Sequence, residues 1–298
     1  MNFWKYQGAG NDFVMLDQRA HQWVGRADTA RIERLCDRRF GIGADGLILL
    51  QNLPGYDFEM IYFNADGRES TMCGNGGRCI AAFAQHLGVV GERCRFRAID
   101  GEHEAIVSSL LVGEGQRAGS GLWVELKMTD VQTVEKQGEA YILNTGSPHY
   151  VRFENDLENL DMVAQGQAVR YSERWKKEGI NVNLVAETAA KPCLPAGRRK
   201  MQNAKSNTPL PTGEGPGASL QIRTYERGVE DETYACGTGV TAAAIASFLE
   251  RGGSAGDFEI AVHAKGGELA VRFHANGDGS FSNIWLCGPA VKVFEGII

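Results

Sequence analysis

Cys73-Gly74-Asn75-Gly76-Gly77-Arg78 and Cys236-Gly237-Thr238-Gly239-Val240 are two versions of one pattern, in which a cysteine is followed at once by glycines. Each version follows a strand-like run and a polar turn, and each stands before residues with helical spacing. The repeated unit is therefore strand, polar turn, cysteine, glycines and helix. This repetition predicts a chain built from two similar halves.

The strand-like runs before the two cysteines are 57–63 and 220–225, which alternate in polarity. The helices are predicted from apolar residues that share one stripe, and glycines mark where each helix ends. The stripe residues are Ile80, Phe83, Ala84 and Leu87 in the first helix and Ala244, Ile245, Phe248 and Leu249 in the second.

The bulk composition limits size, partners and location. With 298 residues, of which 43% are hydrophobic, the chain is long enough for two domains that each bury a core. Its net charge of −6 and the lack of a basic run argue against a nucleic-acid partner. Residues 1–6 lack the features of a signal peptide, and no apolar stretch reaches the ~18 residues of a membrane span. We therefore expect a cytoplasmic protein with no membrane partner.

The seven cysteines fit neither a disulfide framework nor a metal site. Their number is odd and their positions are scattered, which disfavours a set of disulfides. There is no Cys-x-x-Cys pair and no histidine pair at metal-ligand spacing, so no metal site is predicted. Apart from Cys73 and Cys236, the cysteines are expected to be buried core residues, namely Cys36, Cys79, Cys94, Cys193 and Cys287.

The N-terminal region predicts three further features. Residues 3–17 indicate two short strands joined by a glycine turn, where Asn11 is either a ligand-binding residue or a turn residue bonded to its own backbone. Residues 29–40 predict an amphipathic helix with Phe40 among its inward-facing residues. The glycine-rich stretch 41–46 lies after a helix and before a strand, the reverse of a dinucleotide fingerprint, and is predicted to be a turn.

Two glycine-rich regions bear on domain organisation. A boundary is expected near the glycines of 119–121, with residues 1–118 and 288–298 in a first half and 119–287 in a second. Within the second half, the chain becomes rich in Pro, Gly, Ala, Lys and Asn. Such a stretch buries too little apolar surface to offset its chain entropy, so we expect a mobile surface insertion at about 188–218.

A cysteine at a helix start has a defined chemistry. The helix start exposes unpaired N–H groups and a partial positive charge, so the thiol ionises more easily and the N–H groups can bind a carboxylate. Two such sites suit the inversion of a stereocentre, in which a thiolate removes a proton from one face and a thiol supplies one to the other. The plainer alternative is that both cysteines only cap helices. For a matched pair, the chemical interpretation is favoured.

Seven short motifs, spread over nearly the whole chain, carry a resemblance to a known family. The sequence resembles the diaminopimelate epimerases, enzymes of lysine and peptidoglycan precursor synthesis that work without pyridoxal phosphate. In chain order the motifs are Gly10-Asn11-Asp12-Phe13, Gly43-Ala44-Asp45-Gly46, Phe63-Asn64-Ala65-Asp66-Gly67, Cys73-Gly74-Asn75-Gly76-Gly77-Arg78-Cys79, Gly146-Ser147-Pro148-His149, Tyr225-Glu226-Arg227-Gly228 and Ala235-Cys236-Gly237-Thr238-Gly239.

The resemblance implies an α+β fold of two pseudo-symmetric domains, each a curled, mostly antiparallel sheet around a central helix, with the active site between them. It implies Cys73 and Cys236 as the acid/base pair, no cofactor and a small-molecule substrate, and it leaves a homodimer open. The residues that would bind the reacting carboxylate are Gly74, Asn75, Gly237 and Thr238. Those that would hold the amino groups and the distal carboxylate are Asn11, Asn64, Asn181, Glu226 and Arg227.

The resemblance implies two further roles, and the sequence differs from some family members at two positions. His149 and Glu226 are the residues implied to adjust the pKa of the cysteines, although a lone histidine beside a strand is more often structural. Ser147 stands where some members have an asparagine, and Gly46 stands where some have a glutamine. A serine can still donate a hydrogen bond, whereas Gly46 offers no side chain.

Three alternative functions are open at this point. A proline or hydroxyproline racemase of the same fold is disfavoured by Asn64, Asn181 and Arg227, because a proline ring has no second amino-acid head group for such residues to bind. A non-catalytic anion-binding protein would bind its ligand without exchanging the α-proton. A redox role for the two cysteines is the third alternative.

Overall fold

The computed structural model describes residues 1–112, 116–188 and 219–298, which form four helices and seventeen strands. The insertion expected at 188–218 lies outside the described residues, apart from Thr188 at the end of a strand. The helices are α1 (Thr29–Cys36), α2 (Gly74–His86), α3 (Met162–Arg170) and α4 (Gly237–Glu250). The strands are β1 (Asn2–Gly8), β2 (Asn11–Asp17), β3 (Gly46–Gln51), β4 (Phe58–Asn64), β5 (Glu69–Ser70), β6 (Arg93–Ala98), β7 (Gly101–Val112), β8 (Gln116–Lys127), β9 (Val134–Gln137), β10 (Ala140–Asn144), β11 (Pro148–Phe153), β12 (Asn181–Thr188), β13 (Ser219–Glu226), β14 (Asp231–Thr233), β15 (Gly256–Ala264), β16 (Gly267–Ala275) and β17 (Phe281–Ile297).

The chain divides into two compact units. The first contains Met1–Ser109, Gly119–Lys127 and Cys287–Ile298, and the second contains Leu110–Ala118 and Met128–Leu286. The segment Gly119–Lys127, which was expected in the second half, lies in the first unit because β8 pairs there with β17. The first unit is therefore assembled from three separate stretches of the chain.

The sheet of the first unit combines antiparallel and parallel pairs. β1 pairs antiparallel with β2, and β2 runs parallel to β3. β3 and β4 are antiparallel, and β4 then pairs antiparallel with β5 and parallel with β6. α1 connects β2 to β3, and α2 connects β5 to β6. On the other side of β1 the sheet continues into β17 and β8.

The second unit repeats the same order of pairings. β10 is antiparallel to β11, β11 is parallel to β12, and β12 is antiparallel to β13. β13 then pairs antiparallel with β14 and parallel with β15, while α3 and α4 occupy the places of α1 and α2. The strands β1–β7 are thus equivalent to β10–β16, because β6 with β7 and β15 with β16 also form matching antiparallel pairs. The repetition that the two cysteine motifs indicate extends to the whole strand order.

The helices that follow the cysteines are buried well beyond the predicted apolar stripes. Every residue of α2 from Gly74 to Ala84 is buried, and so is nearly every residue of α4 before Leu249. α2 packs against β1, β2 and β3, and α4 packs against the equivalent strands and their neighbours. A helix with strands on several sides needs small or apolar residues on all of them, which explains its glycines and alanines.

Helix α1 ends at Cys36, before the predicted end at Phe40. The backbone of Asp37 is extended, and its carboxylate accepts hydrogen bonds from the N–H groups of Arg39 and Phe40. Such side-chain bonds to the backbone compete with helix and end it here. Phe40 is 67% exposed as a result, so the prediction that it faces inward is wrong.

The expected burial of the remaining cysteines is confirmed where the structure describes them, at Cys36, Cys79, Cys94 and Cys287. Cys193 lies outside the described residues. None of the helices in the described part of the chain is long and apolar enough to cross a membrane.

Candidate functional site

Cys73 is the N-cap residue of α2 and is half-buried. Its backbone is extended, and its Sγ accepts a hydrogen bond from the Gly76 N–H at 3.2 Å. Because a helix start favours negative charge, this position stabilises a thiolate. Space at Gly76 is tight, since a Cβ there would lie 3.0 Å from the Cys73 Sγ and 3.2 Å from the Ile48 Cδ1.

A chain of hydrogen bonds joins the first turn of α2 to Asn11. Arg78 donates to the Gly74 carbonyl at 3.3 Å and to the Asn75 Oδ1 at 2.9 Å. Asn75 in turn donates to the Asn11 Oδ1 at 2.5 Å, and Asn11 donates to an Asp45 carboxylate oxygen at 3.0 Å. A guanidinium only donates and a carboxylate only accepts, so both amides have a fixed orientation. The alternative in which Asn11 bonds its own backbone is therefore wrong.

Cys236 takes the equivalent place at the start of α4 and is 8% exposed. Its backbone is extended, and its Sγ lies 3.4 Å from the Thr238 Oγ1. Gly239 is required by packing, because a Cβ there would lie 2.4 Å from the Asn183 Oδ1. Both cysteines thus stand at the starts of buried helices, as the sequence predicts.

His149 lies in strand β11, fully buried, rather than in a turn. Its Nε2 is 3.0 Å from the Ser147 Oγ, and its Nδ1 is 3.1 Å from the Asn183 Nδ2. Burial, together with the positive charge of Arg227, lowers the His149 pKa from 6.5 to about 3. The imidazole is therefore neutral at pH 7.

The hydrogen bonds around His149 assign its remaining proton. Asn183 donates from Nδ2 to the Tyr150 carbonyl at 3.1 Å, which fixes the orientation of its amide. The second hydrogen of that Nδ2 then points at the His149 Nδ1, so this ring nitrogen is an acceptor. The proton of the neutral ring is on Nε2, which donates it to the Ser147 Oγ.

The hydrogen-bond chain continues from Ser147 to Cys236. The Ser147 Oγ also accepts from the Asn181 Nδ2 at 3.1 Å, so its own proton points to the Thr238 Oγ1, 3.1 Å away. The Thr238 Oγ1 accepts this bond, so the Thr238 hydroxyl donates its own proton to the Cys236 Sγ. The chain from His149 through Ser147 and Thr238 ends in a donor aimed at this sulfur, an arrangement that favours the thiolate.

Asn181 connects this chain to the backbone of Arg227. Its Oδ1 accepts from the Arg227 N–H at 2.9 Å, and its Nδ2 donates to the Ser147 Oγ and to the Pro148 carbonyl, each at 3.1 Å. Both amide hydrogens of Asn181 are thus used by protein groups. The geometry shows Asn181 positioning its neighbours.

The Arg227 side chain is exposed and lies over Gly179. It donates to the Glu178 carbonyl at 3.0 Å, and within the described part of the chain its other guanidinium hydrogens have no acceptor. Gly179 has φ +75°, and a Cβ there would lie 2.6 Å from the Arg227 Cδ. Arg227 therefore presents donors in the planar arrangement that suits a carboxylate.

The strand registers align the predicted site residues as equivalent pairs. Phe13 pairs with Gly46 between β2 and β3, and His149 pairs with Asn181 between β11 and β12. Counted from these registers, the pairs are Asn11 and Ser147, Gly46 and Asn181, Asn64 and Glu226, Cys73 and Cys236, and Asn75 and Thr238. The bond from Asn75 to Asn11 therefore corresponds to the bond between Thr238 and Ser147.

Asn64 and Glu226 lie at the ends of β4 and β13. Asn64 is exposed, whereas Glu226 is half-buried. Burial raises the Glu226 pKa. Gly46 has no room for a side chain, because a Cβ would lie 2.4 Å from the Phe63 carbonyl oxygen.

The family model for diaminopimelate epimerase matches residues 3–110 and 141–293 of this chain. The chain belongs to the diaminopimelate epimerase family. A diaminopimelate epimerase of Flavobacterium psychrophilum is 43% identical over 295 residues, which cover 99% of each chain. A diaminopimelate epimerase of Aquifex aeolicus is 35% identical over 310 residues, which cover 99% of this chain and 97% of the relative. The predicted family is confirmed.

Solved structures outside the diaminopimelate epimerase family share the fold. A phenazine biosynthesis protein of the PhzF family from Bacillus anthracis has a TM-score of 0.66 at 12% identity, covering 100% of this chain and 99% of its own. A hydroxyproline epimerase from Agrobacterium vitis has a TM-score of 0.59 at 12% identity, covering 99% and 91%. At this identity the likeness concerns the fold alone, and it confirms the predicted α+β class.

In this member of the diaminopimelate epimerase family, three further residues form hydrogen bonds that support the predicted site residues. The sequence alone assigned them no role. They are Arg78 in α2, Asn183 in β12 and Thr224 in β13, which donates to the Asn183 Oδ1 at 3.0 Å. Arg78 could have been found as a charged residue inside an otherwise apolar helix. Asn183 could have been found because it shares a strand face with Asn181.

The acidic, histidine and cysteine side chains of the described residues do not gather into a metal site. Within residues 1–112, 116–188 and 219–298, no group of three or more of them is close enough to hold an ion.

Proposed function

We propose that this protein interconverts L,L-diaminopimelate and meso-diaminopimelate by proton transfer at one α-carbon. Membership of the diaminopimelate epimerase family makes it an enzyme of the isomerase class. The observation that carries the proposal is the pair of equivalent helix starts, each with a cysteine whose sulfur lies within hydrogen-bond distance of a donor. Such a pair supplies the two groups that inversion of configuration requires.

Cys73 and Cys236 are the proposed acid/base pair. The thiolate of one cysteine takes the α-proton from one face, and the electron pair left on carbon is delocalised into the adjacent carboxylate. The thiol of the other cysteine gives its proton to the opposite face, which restores the C–H bond with inverted configuration. Thiolate and thiol have then exchanged roles, and no cofactor takes part.

The backbone of the two helix starts is proposed to bind the reacting carboxylate. This group gains negative charge as the proton leaves, and unpaired N–H groups at a helix start stabilise that charge. The residues proposed to contribute are Gly74, Asn75, Gly237 and Thr238. Their support is local, since each directly follows or lies two residues beyond a capping cysteine.

The distal end of the substrate is proposed to be held by polar side chains. The free guanidinium hydrogens of Arg227 support its role with the distal carboxylate. The residues proposed for the amino groups and this carboxylate are Asn11, Asn64, Asn181, Glu226 and Arg227. His149 is proposed to adjust Cys236 through Ser147 and Thr238, and Glu226 is proposed to assist through its carboxyl group.

The proposed setting is the synthesis of lysine and peptidoglycan precursors in the cytoplasm. A small-molecule substrate is consistent with the family. A homodimer, and the absence of nucleic-acid and membrane partners, stay predictions. The proline and hydroxyproline racemase alternative is not favoured, because the matching family model is that of diaminopimelate epimerase.

The test is proton exchange with solvent. Reduced protein is incubated with L,L-diaminopimelate in D₂O, and deuterium at the α-carbon and conversion to the meso isomer are followed by NMR and chiral chromatography. We expect both. A folded, reduced protein that incorporates no deuterium would overturn the proposal.

The cysteine variants test the two-base mechanism. Cys73→Ala and Cys236→Ala should each abolish interconversion while the circular dichroism spectrum is unchanged. Cys94→Ala is the matched control, because Cys94 is buried in β6 and takes no part in the proposed chemistry. Full activity in either helix-start variant would remove that cysteine from the mechanism.

A further inference from the structure

Arg78 is a buried cation without a carboxylate partner. It is fully buried in α2, and none of the described residues forms a hydrogen bond with its Nε. Its remaining bonds go to the neutral Gly74 carbonyl and the neutral Asn75 amide in the first turn of the same helix. No ion pair forms on it within the residues that the structure describes. An arginine buried in this way is rare unless a charge balances it.

The ionisable groups that act on Arg78 are three thiols, those of Cys79, Cys73 and Cys287. Burial lowers the Arg78 pKa, but an arginine starts so high that the guanidinium stays protonated. Cys79 and Cys287 are fully or nearly fully buried, and burial raises the Cys79 pKa. Cys73 is the half-buried one at the helix start, and it is the thiol placed to become the balancing anion.

Of the strands packed against α2, β1 and β2 carry charges that pair among themselves or with a neighbour in the chain, and β3 carries none. Lys5 of β1 pairs with Asp12 of β2 at 2.9 Å, and Asp17 of β2 pairs with Arg19 at 2.8 Å. Burial raises the pKa of Tyr6, so that side chain is neutral. β3, the third strand against the helix, has no ionisable residue between Gly46 and Gln51.

The equivalent position of α4 is neutral. Arg78 is five residues after Cys73, and Thr241 is five residues after Cys236. The Thr241 hydroxyl donates to the Gly237 carbonyl at 3.0 Å, just as Arg78 donates to the Gly74 carbonyl. The two helix starts therefore share their backbone geometry but differ by one full positive charge.

We propose that Arg78 is a positioning residue for Cys73: its buried charge keeps this cysteine in the thiolate form in the ligand-free protein, and Cys236 is then the thiol of the pair. The full charge of buried Arg78 stabilises a thiolate at Cys73 more than the single neutral hydroxyl of Thr238 stabilises one at Cys236. Through its bond to the Asn75 Oδ1, Arg78 also turns the Asn75 amide hydrogens toward Asn11. The inference rests on the proposed function for the use that catalysis makes of the thiolate.

The test is the pH dependence of alkylation, measured without substrate. The full chain is treated with iodoacetamide from pH 4 to 10, and modification of Cys73 and Cys236 is followed separately by peptide mass spectrometry. In the wild-type protein Cys73 should react at lower pH than Cys236. In Arg78→Met the midpoint for Cys73 should rise by about one to three pH units, because an opposite charge at close range shifts a thiol by that amount. Its alkylation rate at pH 6 should fall about tenfold or more.

Two variants separate charge from packing. Arg78→Lys keeps the charge and should keep the Cys73 midpoint near that of the wild type, whereas Thr241→Val, at the equivalent position, should leave it unchanged. Arg78→Gln replaces the methionine variant if that one does not fold. A Cys73 midpoint that stays at the wild-type value in the neutral variants, or a Cys236 midpoint below that of Cys73 in the wild type, overturns the inference.

This experiment and the epimerase test fail independently. A protein that incorporates no deuterium but shows the expected alkylation midpoints would refute the proposed function and support the role of Arg78. Deuterium uptake with unshifted alkylation midpoints would support the proposed function and refute the role of Arg78.

Discussion

Ser147 accepts from a neutral histidine and donates toward Thr238, so its hydroxyl is the link in the chain that a small substitution removes. Ser147→Ala should lower kcat/KM about ten- to hundredfold, since a hydrogen bond that serves a charged group contributes about 1.5–3 kcal/mol. Alkylation of Cys236 should move to higher pH, and alkylation of Cys73 should not. Initial rates and peptide mass spectrometry measure the two effects.

The matched control for this substitution is Ser172→Ala, because the Ser172 hydroxyl donates to the nearby Val169 carbonyl and takes no part in the chain from His149 to Cys236. It should keep the wild-type kcat/KM. Wild-type kinetics in Ser147→Ala would exclude the chain from His149 to Cys236 as a functional feature.

His149 makes stability depend on pH. Its pKa is about 3 in the folded protein and 6.5 ordinarily, so below pH 6.5 the unfolded chain binds a proton that the folded protein does not. The stabilisation is fully present above pH 6.5 and is lost as the pH falls toward 3, by about 1.4 kcal/mol per pH unit. Urea unfolding at pH 7, 6 and 5 should show this slope.

The control for the pH slope is His149→Gln, which removes the titrating group and keeps a polar side chain. Its free energy of unfolding should fall less steeply between pH 6.5 and 5 than that of the wild type. Other histidines and the carboxylates are common to both proteins and cancel in the comparison. Equal slopes would show that the His149 pKa is not lowered in the folded protein.

For single residues, the sequence predicted the features that depend only on neighbouring positions in the chain. Cys73 and Cys236 could be identified because a cap residue and the glycines after it lie within a few positions. The proton of His149 could not be assigned, because it depends on Asn183, 34 residues away. The charge balance of Arg78 could not be foreseen either, because burial of a charged side chain depends on strands elsewhere in the chain.

At the level of elements, α4 is packed tightly at its start. Gly239→Ala would place a Cβ 2.4 Å from the Asn183 Oδ1, and that amide is held by bonds to His149, Tyr150 and Thr224. We expect a loss of about 1–3 kcal/mol in the free energy of unfolding, as for overpacking of a core. Urea unfolding at neutral pH measures it.

Gly91→Ala is the comparison, because a Cβ at Gly91 meets nothing within 4 Å and the backbone has no positive φ. This variant should unfold at the wild-type urea concentration. If Gly239→Ala does the same, Asn183 can move aside, and the rigid packing described for the start of α4 is refuted.

The strands and helices that the sequence predicts are present in the structure, since strand alternation and helix spacing are visible in short windows. The predictions were incomplete where contacts with other residues determine how far a helix extends or how many of its faces are buried. The stripe assigned to the helices after the cysteines was too narrow because sheets surround them, and α1 was too long because the Asp37 carboxylate ends it. Asp37 is a weak helix breaker in sequence, and only the structure shows its bonds.

For the whole molecule, the three-part first unit leads to a prediction about fragments. A chain of residues 1–109 lacks β17, which pairs with β1, and β8, which pairs with β17. We expect it to unfold without a cooperative transition in urea, followed by circular dichroism. The same residues joined by flexible linkers to 119–127 and 287–298 should regain the transition. Cooperative unfolding of 1–109 alone would contradict this account.

The sequence could indicate two halves because the cysteine motif is repeated. It could not place residues 119–127, since their pairing partner β17 is more than a hundred residues further along the chain. Long-range strand pairing leaves no mark in a local window.

The matching strand order of the two units also speaks about the history of the chain. Two runs of seven strands with the same sequence of parallel and antiparallel pairs indicate duplication of one gene segment followed by fusion. Before duplication, the two cysteine motifs would have been one sequence. After fusion each copy evolved alone, so Arg78 could arise behind one cysteine while Thr241 stayed neutral behind the other.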